Sequence, residues 1–265
     1  YFLLFHNGFV SQILFHNKIN DAFQGTFMNQ NFFNDNNLTE FIGTAPLDTI
    51  GLVIASVDPM LRTEMSIDPQ YAALGLISSR TGAAGQILAV DEAVKETNTE
   101  VLSIDLPRDT KGWGGHGNFI ILGAKNVSDA KRAVESALEH IKRYAGEVHI
   151  NDAGHLEFAY SASAGEAINK AFSVPIGQPF GFMAGSPAAI GLIMADRAVK
   201  AFGIKILQYL TPSKGTSHSN EVIIAFTGDT SAVKDAVLLG KKIGMQLLSA
   251  MDKPPISLGT PYILE

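Results

Sequence analysis

Asp91-Glu92-Ala93-Val94-Lys95 returns later in the chain as Asp196-Arg197-Ala198-Val199-Lys200, and its surroundings return with it. Upstream, Leu74-Gly75-Leu76-Ile77 answers to Phe180-Gly181-Phe182-Met183. Downstream, Pro107, Lys111, Gly112, His116 and Asn118 answer to Pro212, Lys214, Gly215, His218 and Asn220. Ser128, Lys131, Ala133 and Val134 then pair with Ser231, Lys234, Ala236 and Val237. A repeat of so long a period concerns architecture before chemistry: the chain carries two copies of one folding unit.

Each copy reads β-α-β-α-β-loop-β-α. In the first, Ile50 to Ala55 is short, apolar and β-branched, as a buried strand requires, and Asp58-Pro59 opens a helix with proline at its first position. Leu74 to Ser78 is the second strand, and a Thr81-Gly82 turn leads into a helix from Ala83 to Thr97 that Asn98 is expected to cap. Val101 to Leu106 and Phe119 to Leu122 are strands separated by a glycine-rich loop. Ala130, Ala133, Val134, Ala137, Leu138 and Ile141 mark one apolar helix face, with Ser128 as the expected N-cap. The second copy runs through strand Leu156–Tyr160, a helix ending near Ile168, strand Phe180–Ala184, helix Ala188–Phe202, strands Lys205–Leu210 and Val222–Phe226, and helix Ala232–Ser249. The third and fourth strands of each copy are joined by loops with no room for a crossover helix. The fold class is therefore α+β, each unit a four-stranded, mostly antiparallel sheet flanked by helices. The expected units are residues 47–149 and 153–265, with Glu147 to Gly154 as linker and residues 1–46 as an N-terminal extension.

Hydrophobic residues make up 46% of the 265 and charged residues 17%, too apolar a balance for a disordered chain. Net charge is −6 with no Lys/Arg cluster, which argues against nucleic acid as partner. With no cysteine, disulfides, thiolate-held zinc, iron–sulfur clusters and a cysteine nucleophile are excluded together, in keeping with a reducing cytosol. The apolar runs of residues 1–27 are broken by His6, Asn7, Gly8, Ser11 and Gln12, well short of the roughly 20 residues of a membrane span, and they lack signal-peptide features. Met28 opens a polar segment and reads as the native start, with residues 1–27 as translated upstream sequence; a docking extension is the alternative.

Arg108-Asp109-Thr110-Lys111-Gly112-Trp113-Gly114-Gly115-His116-Gly117 is the most enzyme-like stretch. Its glycines could let backbone N–H groups converge on an anion beside Lys111. Yet the Walker spacing is absent, and the glycines precede a strand rather than a helix, so neither nucleotide signature fits. The reading preferred is a loop whose glycines allow close backbone approach around a symmetry axis. His116 and His218 stand at matched loop ends without matched carboxylates, which favours a structural or lining role over catalysis or metal binding. Trp113 sits among glycines, a gate or ligand-facing position. Lys95 and Lys200 each close a helix, where the dipole favours a cation, and their recurrence suggests contact with a neighbouring particle. No cofactor or metal is expected.

The duplicated D-x-A-V-K helix, the L-G-L-I-S-S-R-T-G-A strand and turn, the P-R-D-T-K-G-W-G-G-H-G loop and its partner T-P-S-K-G-T-S-H-S-N together resemble the tandem-domain, circularly permuted shell proteins of bacterial microcompartments, of the propanediol- and ethanol-utilisation type. The resemblance covers Asn29 to Leu264. It implies a non-enzymatic tile localised to the shell, in which three chains close into a pseudohexamer (a homotrimer) that packs edge to edge with other shell proteins around enclosed enzymes. It implies tile-edge roles for Lys95 and Lys200. It also implies central-pore lining by Arg108, Asp109, Thr110, Lys111, Gly112, Trp113, Gly114, Gly115 and His116, and by Ser213, Lys214, Gly215, Thr216, Ser217 and His218. A smaller pore within the subunit would involve Ser79, Arg80 and Thr81 with Ala184, Gly185 and Ser186. Expected permeants are small polar metabolites such as propanediol, glycerol or ethanol, and polar cofactors if the pore's gate opens, with aldehydes retained. The rival reading is a trimeric anion- or metabolite-binding protein or enzyme that uses the glycine-rich loop.

Overall fold

The computed structural model describes residues 39–107, 116–215 and 219–264. The first half runs β1 (Phe41–Ala45), β2 (Thr49–Ile54), α1 (Pro59–Glu64), β3 (Ala73–Ser79), α2 (Ala84–Lys95), β4 (Thr99–Asp105), β5 (Asn118–Ala124) and α3 (Val127–Tyr144). A 3-10 turn, Ala145–Glu147, leads into β6 (Val148–Asn151), β7 (Gly154–Ser161), α4 (Glu166–Phe172), β8 (Phe180–Ser186), α5 (Ala188–Ala201), β9 (Lys205–Leu210), β10 (Val222–Thr227), α6 (Thr230–Ser249) and β11 (Ile256–Ser257). The sheets are ordered β1-β2-β3-β5-β4 and β11-β6-β7-β8-β10-β9, every pairing antiparallel. Apart from β11 the second order is the first repeated, so the duplication read from sequence is a duplication of topology. The four strands expected in each copy are present; the first sheet gains an edge strand, β1, and the second gains β6 with the short edge strand β11 outside it.

The apolar stripe on α3 is buried as its spacing demands, with Ala130, Ala133, Val134, Ala137 and Ile141 all inaccessible. Its N-cap is Asn126, whose extended backbone lets the side chain accept from the Asp129 N–H at 2.9 Å; Ser128 already lies inside the helix. Likewise α2 stops at Glu96, before Asn98, because Thr97 turns its hydroxyl back onto the Ala93 carbonyl at 2.8 Å.

The stretch expected as a linker is structural. Glu147 is fully buried and accepts from the N–H groups of Tyr262 and Ile263, both at 2.7 Å, and from Lys241 Nζ at 2.7 Å. The two backbone bonds strap the C-terminal segment across the second unit; burial alone would raise the Glu147 carboxyl, and its interactions with His149, Lys241 and the Ile263 N–H hold it below its ordinary value. Similarly, Phe41 to Ala45, expected within the extension, completes the first sheet. One hydrophobic cluster runs through both units, joining Ile87, Leu88 and Val90 of α2 to Ala167, Ile168 and Phe172 of α4.

Candidate functional site

Two helices that meet at the seam between the units lack capping side chains of their own. The N-cap of α2 is Ala83 and that of α4 is Gly165. Each is capped from the other unit. Glu157, on β7, directs Oε1 at the N–H groups of Ala83, Ala84 and Gly85 at 3.1, 2.8 and 3.3 Å. Asp91, on α2, accepts from Gly165 N at 2.9 Å through Oδ2, and from Ala167 N and Ile168 N at 3.0 and 3.2 Å through Oδ1. Both carboxylates are almost inaccessible to water. A carboxylate at a helix N-terminus satisfies orphan donors and meets the positive end of the dipole, which compensates its desolvation. Gly165 is required for this approach: a Cβ there would lie 2.7 Å from both Asp91 oxygens.

The seam extends to the roots of the glycine-rich loop and of its Ser/Thr-rich partner in the second unit. His116, where the first loop rejoins β5, is buried and places Nδ1 2.6 Å from Glu221 Oε1, where the second loop rejoins β10. His155 of β7 brings Nε2 within 3.2 Å of Glu221 Oε2. Burial raises the energy of both charged forms, yet the hydrogen bonds and mutual attraction outweigh it. The Glu221 carboxyl is accordingly held down to about 2, and the His116 imidazole is pushed above its ordinary range. The two loops of one chain are thus tied at their bases by a buried ion pair. Gly117 N donates to Pro107 O at 2.9 Å and closes the neck of the first loop. A Cβ on Gly117 would come within 2.3 Å of Ser79 O, so the chain passes there only as glycine.

The remaining expected site residues separate. Arg108, Asp109, Thr110, Lys111, Gly112, Trp113, Gly114 and Gly115 lie outside the described residues, as do Thr216, Ser217 and His218. Ser213, Lys214 and Gly215 are exposed in a tight turn closed by Thr211 N to Lys214 O at 2.7 Å, with Gly215 at φ +87°. His116 sits in the seam instead of on an open surface. Ser79 and Thr81 are buried and hydrogen-bonded: Ser79 Oγ donates to Thr81 O at 2.6 Å, and Thr81 Oγ1 to Leu47 O at 2.9 Å. Ala184 and Gly185 are packed away from solvent, Gly185 against Gly191 of α5, which leaves Arg80 exposed and Ser186 partly so. Lys95 is partly exposed but bonded to buried Asp91 at 3.0 Å, whereas Lys200 pairs at 2.8 Å with an Asp196 that remains in water.

Sequence reading used Asp91 only as a marker of the repeat and gave no role to Glu157, His155, Glu147 or Glu221. The available signal was a carboxylate inside an apolar run, Leu156-Glu157-Phe158-Ala159, since a buried charge implies a partner. Among the described residues no cluster of His, Cys, Asp and Glu is arranged to hold a metal, and no helix is long and apolar enough to cross a membrane. Chemically the seam is a lock: every charge in it is answered by a helix end or an opposite charge.

The BMC domain family matches residues 73–152 and 180–255, spans that open on the matched strands β3 and β8. The bacterial microcompartment shell protein PduB of Citrobacter freundii is 48% identical over 226 residues, 85% of this chain and 84% of that protein. The crystal structure of EtuB from Clostridium kluyveri superposes with a TM-score of 0.81 at 48% identity, covering 84% of this chain and 98% of EtuB. That of a trimeric bacterial microcompartment shell protein PduB gives 0.80 at 42% identity, over 84% and 99% of the two chains.

Proposed function

Because this chain belongs to the BMC domain family, as a tandem-domain microcompartment shell protein of the PduB type, we propose that three copies close into a pseudohexameric tile with a central pore. The observation that carries this reading is the reciprocally capped seam. It fuses two topologically identical units side by side, so that one chain supplies two adjacent sides of a six-sided ring. The glycine-rich loop and its Ser/Thr-rich partner are rooted at this seam and would surround the ring axis. Residues 108–115 and 213–218 would then line the pore, with His116 anchoring rather than lining it. Arg80 and Ser186 are the residues of the second, smaller opening that keep solvent contact.

The role is structural, with no turnover of its own. Lysines and histidines of the loops with backbone amides would favour polar or anionic metabolites over bulky cofactors, with small alcohols such as propanediol, glycerol or ethanol as permeants. Lys95 and Lys200 would meet neighbouring tiles, and enclosed enzymes would lie behind the shell.

Sedimentation and electron microscopy of the full chain test the tile reading: trimers in dilute solution and sheets or tubes at high concentration are expected. Monomers under all conditions would refute it. The Lys95→Ala, Lys200→Ala double variant is expected to keep the trimer and lose the sheets; unchanged sheets would remove the edge assignment.

A further inference from the structure

The two copies of the repeat agree in position and differ in charge. From the Asp91 and Asp196 match, Glu92, Glu96 and Glu100 stand where the second copy has Arg197, Ala201 and Lys205. Strand register gives the last pair independently. Glu100 lies opposite Gly123 and Lys205 opposite Thr227, and Gly123 and Thr227 each follow the residue that faces a repeat-matched glycine, Gly75 or Gly181. Residues 92–100 thus carry three carboxylates and one lysine, and residues 197–205 three cations and no carboxylate. All of them reach water: side-chain exposure is 36% at Glu92, 52% at Glu96 and 71% at Lys200, and Glu100, Arg197 and Lys205 are exposed as well. The lysine of the first stretch, Lys95, is answered inside the chain by Asp91 at 3.0 Å and Glu92 at 3.3 Å. Lys200 pairs with Asp196 at 2.8 Å, which leaves Arg197 and Lys205 to set the sign of the second stretch. Arg132 of α3 acts on Glu96, and the Lys131 and Lys234 match makes Asp235 of α6 its counterpart; this reversed pair offsets part of the difference and changes neither sign.

Resting on the tile reading and its two edge lysines, we propose that the acidic rim of the first unit is the docking surface for the basic rim of the second unit on a neighbouring tile. Glu92, Glu96 and Glu100 meet Arg197, Lys200 and Lys205 of another trimer, in a contact separate from the one that closes the ring. The other pairings are disfavoured: acidic rim on acidic rim, or basic on basic, brings like charges together, and that cost selects against the wrong edge. This fixes the layer. Units alternate around a ring of three chains, so the rim opposite a first unit always belongs to a second unit. Tiles repeated by translation alone therefore meet acidic to basic at every edge, whereas a neighbour turned by one sixth of a turn meets like with like. The charges decide which edges join more than how tightly they join, and a layer of this protein has a single in-plane orientation.

Two charge-reversed chains test this by mixing. Arg197→Glu with Lys205→Glu makes both rims acidic, and Glu92→Arg with Glu96→Lys makes both basic. Each is expected to be a trimer by sedimentation velocity with wild-type circular dichroism, since none of the four side chains is buried. Alone, each is expected to need at least about tenfold more protein than the wild type before sheets or tubes pellet and appear by electron microscopy; mixed in equal amounts, they are expected to form them at the wild-type concentration. Sheets from either variant alone at the wild-type concentration, or an equimolar mixture that stays dispersed, overturn the pairing and leave the trimeric tile standing. A wild type that gives no sheets overturns edge-to-edge tiling and the pairing with it. Should either variant fail to fold, the wild type decides: its sheets are expected to disperse between about 0.1 M and about 1 M sodium chloride, over which the screening length falls from about 10 Å to about 3 Å, and sheets equally stable at both salts overturn the proposal.

Discussion

The same substitution at two repeat-matched positions should differ about tenfold in cost. Asp91→Ala removes one buried carboxylate that accepts three N–H bonds at the α4 N-terminus and pairs with Lys95. A hydrogen bond to a charged group contributes about 1.5–3 kcal/mol. The three bonds share one acceptor and do not add, so the cost of breaking a buried, hydrogen-bonded charge, about 3–5 kcal/mol, is the better figure. Asp196→Ala removes an exposed i,i+4 pair with Lys200, worth about 0.3–0.5 kcal/mol. Urea unfolding followed by far-UV circular dichroism measures both costs, and thermal melting should show a drop on the order of 10 °C for Asp91→Ala and under about 2 °C for Asp196→Ala. Equal shifts for the two variants would refute the idea that the seam, rather than the helix carrying the motif, needs this aspartate.

Two further outcomes follow from the seam. The His116–Glu221 pair should make stability depend on pH in a definite direction. Glu221 is depressed, so its contribution is present above the ordinary carboxylate value of 4.5 and is lost as pH falls towards about 2; His116 is raised, so its contribution is present below 6.5 and is lost as pH rises through its elevated value. The gap in unfolding free energy between wild type and Glu221→Gln should therefore peak between about pH 4.5 and 6.5, and a gap constant from pH 3 to 9 would contradict the ion pair. Gly165→Ala should destabilise by about 1–3 kcal/mol, the range for forced overpacking, because the new methyl displaces the Asp91 carboxylate. A neutral Gly165→Ala in the same unfolding assay would show that the cap can move.

The glycines and charges of the two loops suggested chemistry by composition, but the residues that matter at their bases were separated in sequence. His116 finds its carboxylate in Glu221, across the seam and far along the chain. Caps were misplaced for a related reason. A local rule favours Ser128 and Asn98, whereas the helix begins where the backbone leaves the extended region, at Asn126 (φ −142°, ψ 159°), whose side chain can then reach the Asp129 N–H.

Sequence by itself determined the duplication, the repeated order of four strands and three helices in each copy, the mostly antiparallel sheets and the buried face of α3, but not the added strands β1, β6 and β11. Periodicity and turn chemistry act over a few residues, and the repeat needs no geometry to be seen. Only tertiary structure decided that Asp91 and Asp196, identical in motif, have different work. The first is enclosed by Gly165, Ala167 and Ile168 of the second unit, while the second stands in water beside Lys200. A carboxylate's energy depends on which donors surround it, and those donors come from a part of the chain that the local pattern cannot see.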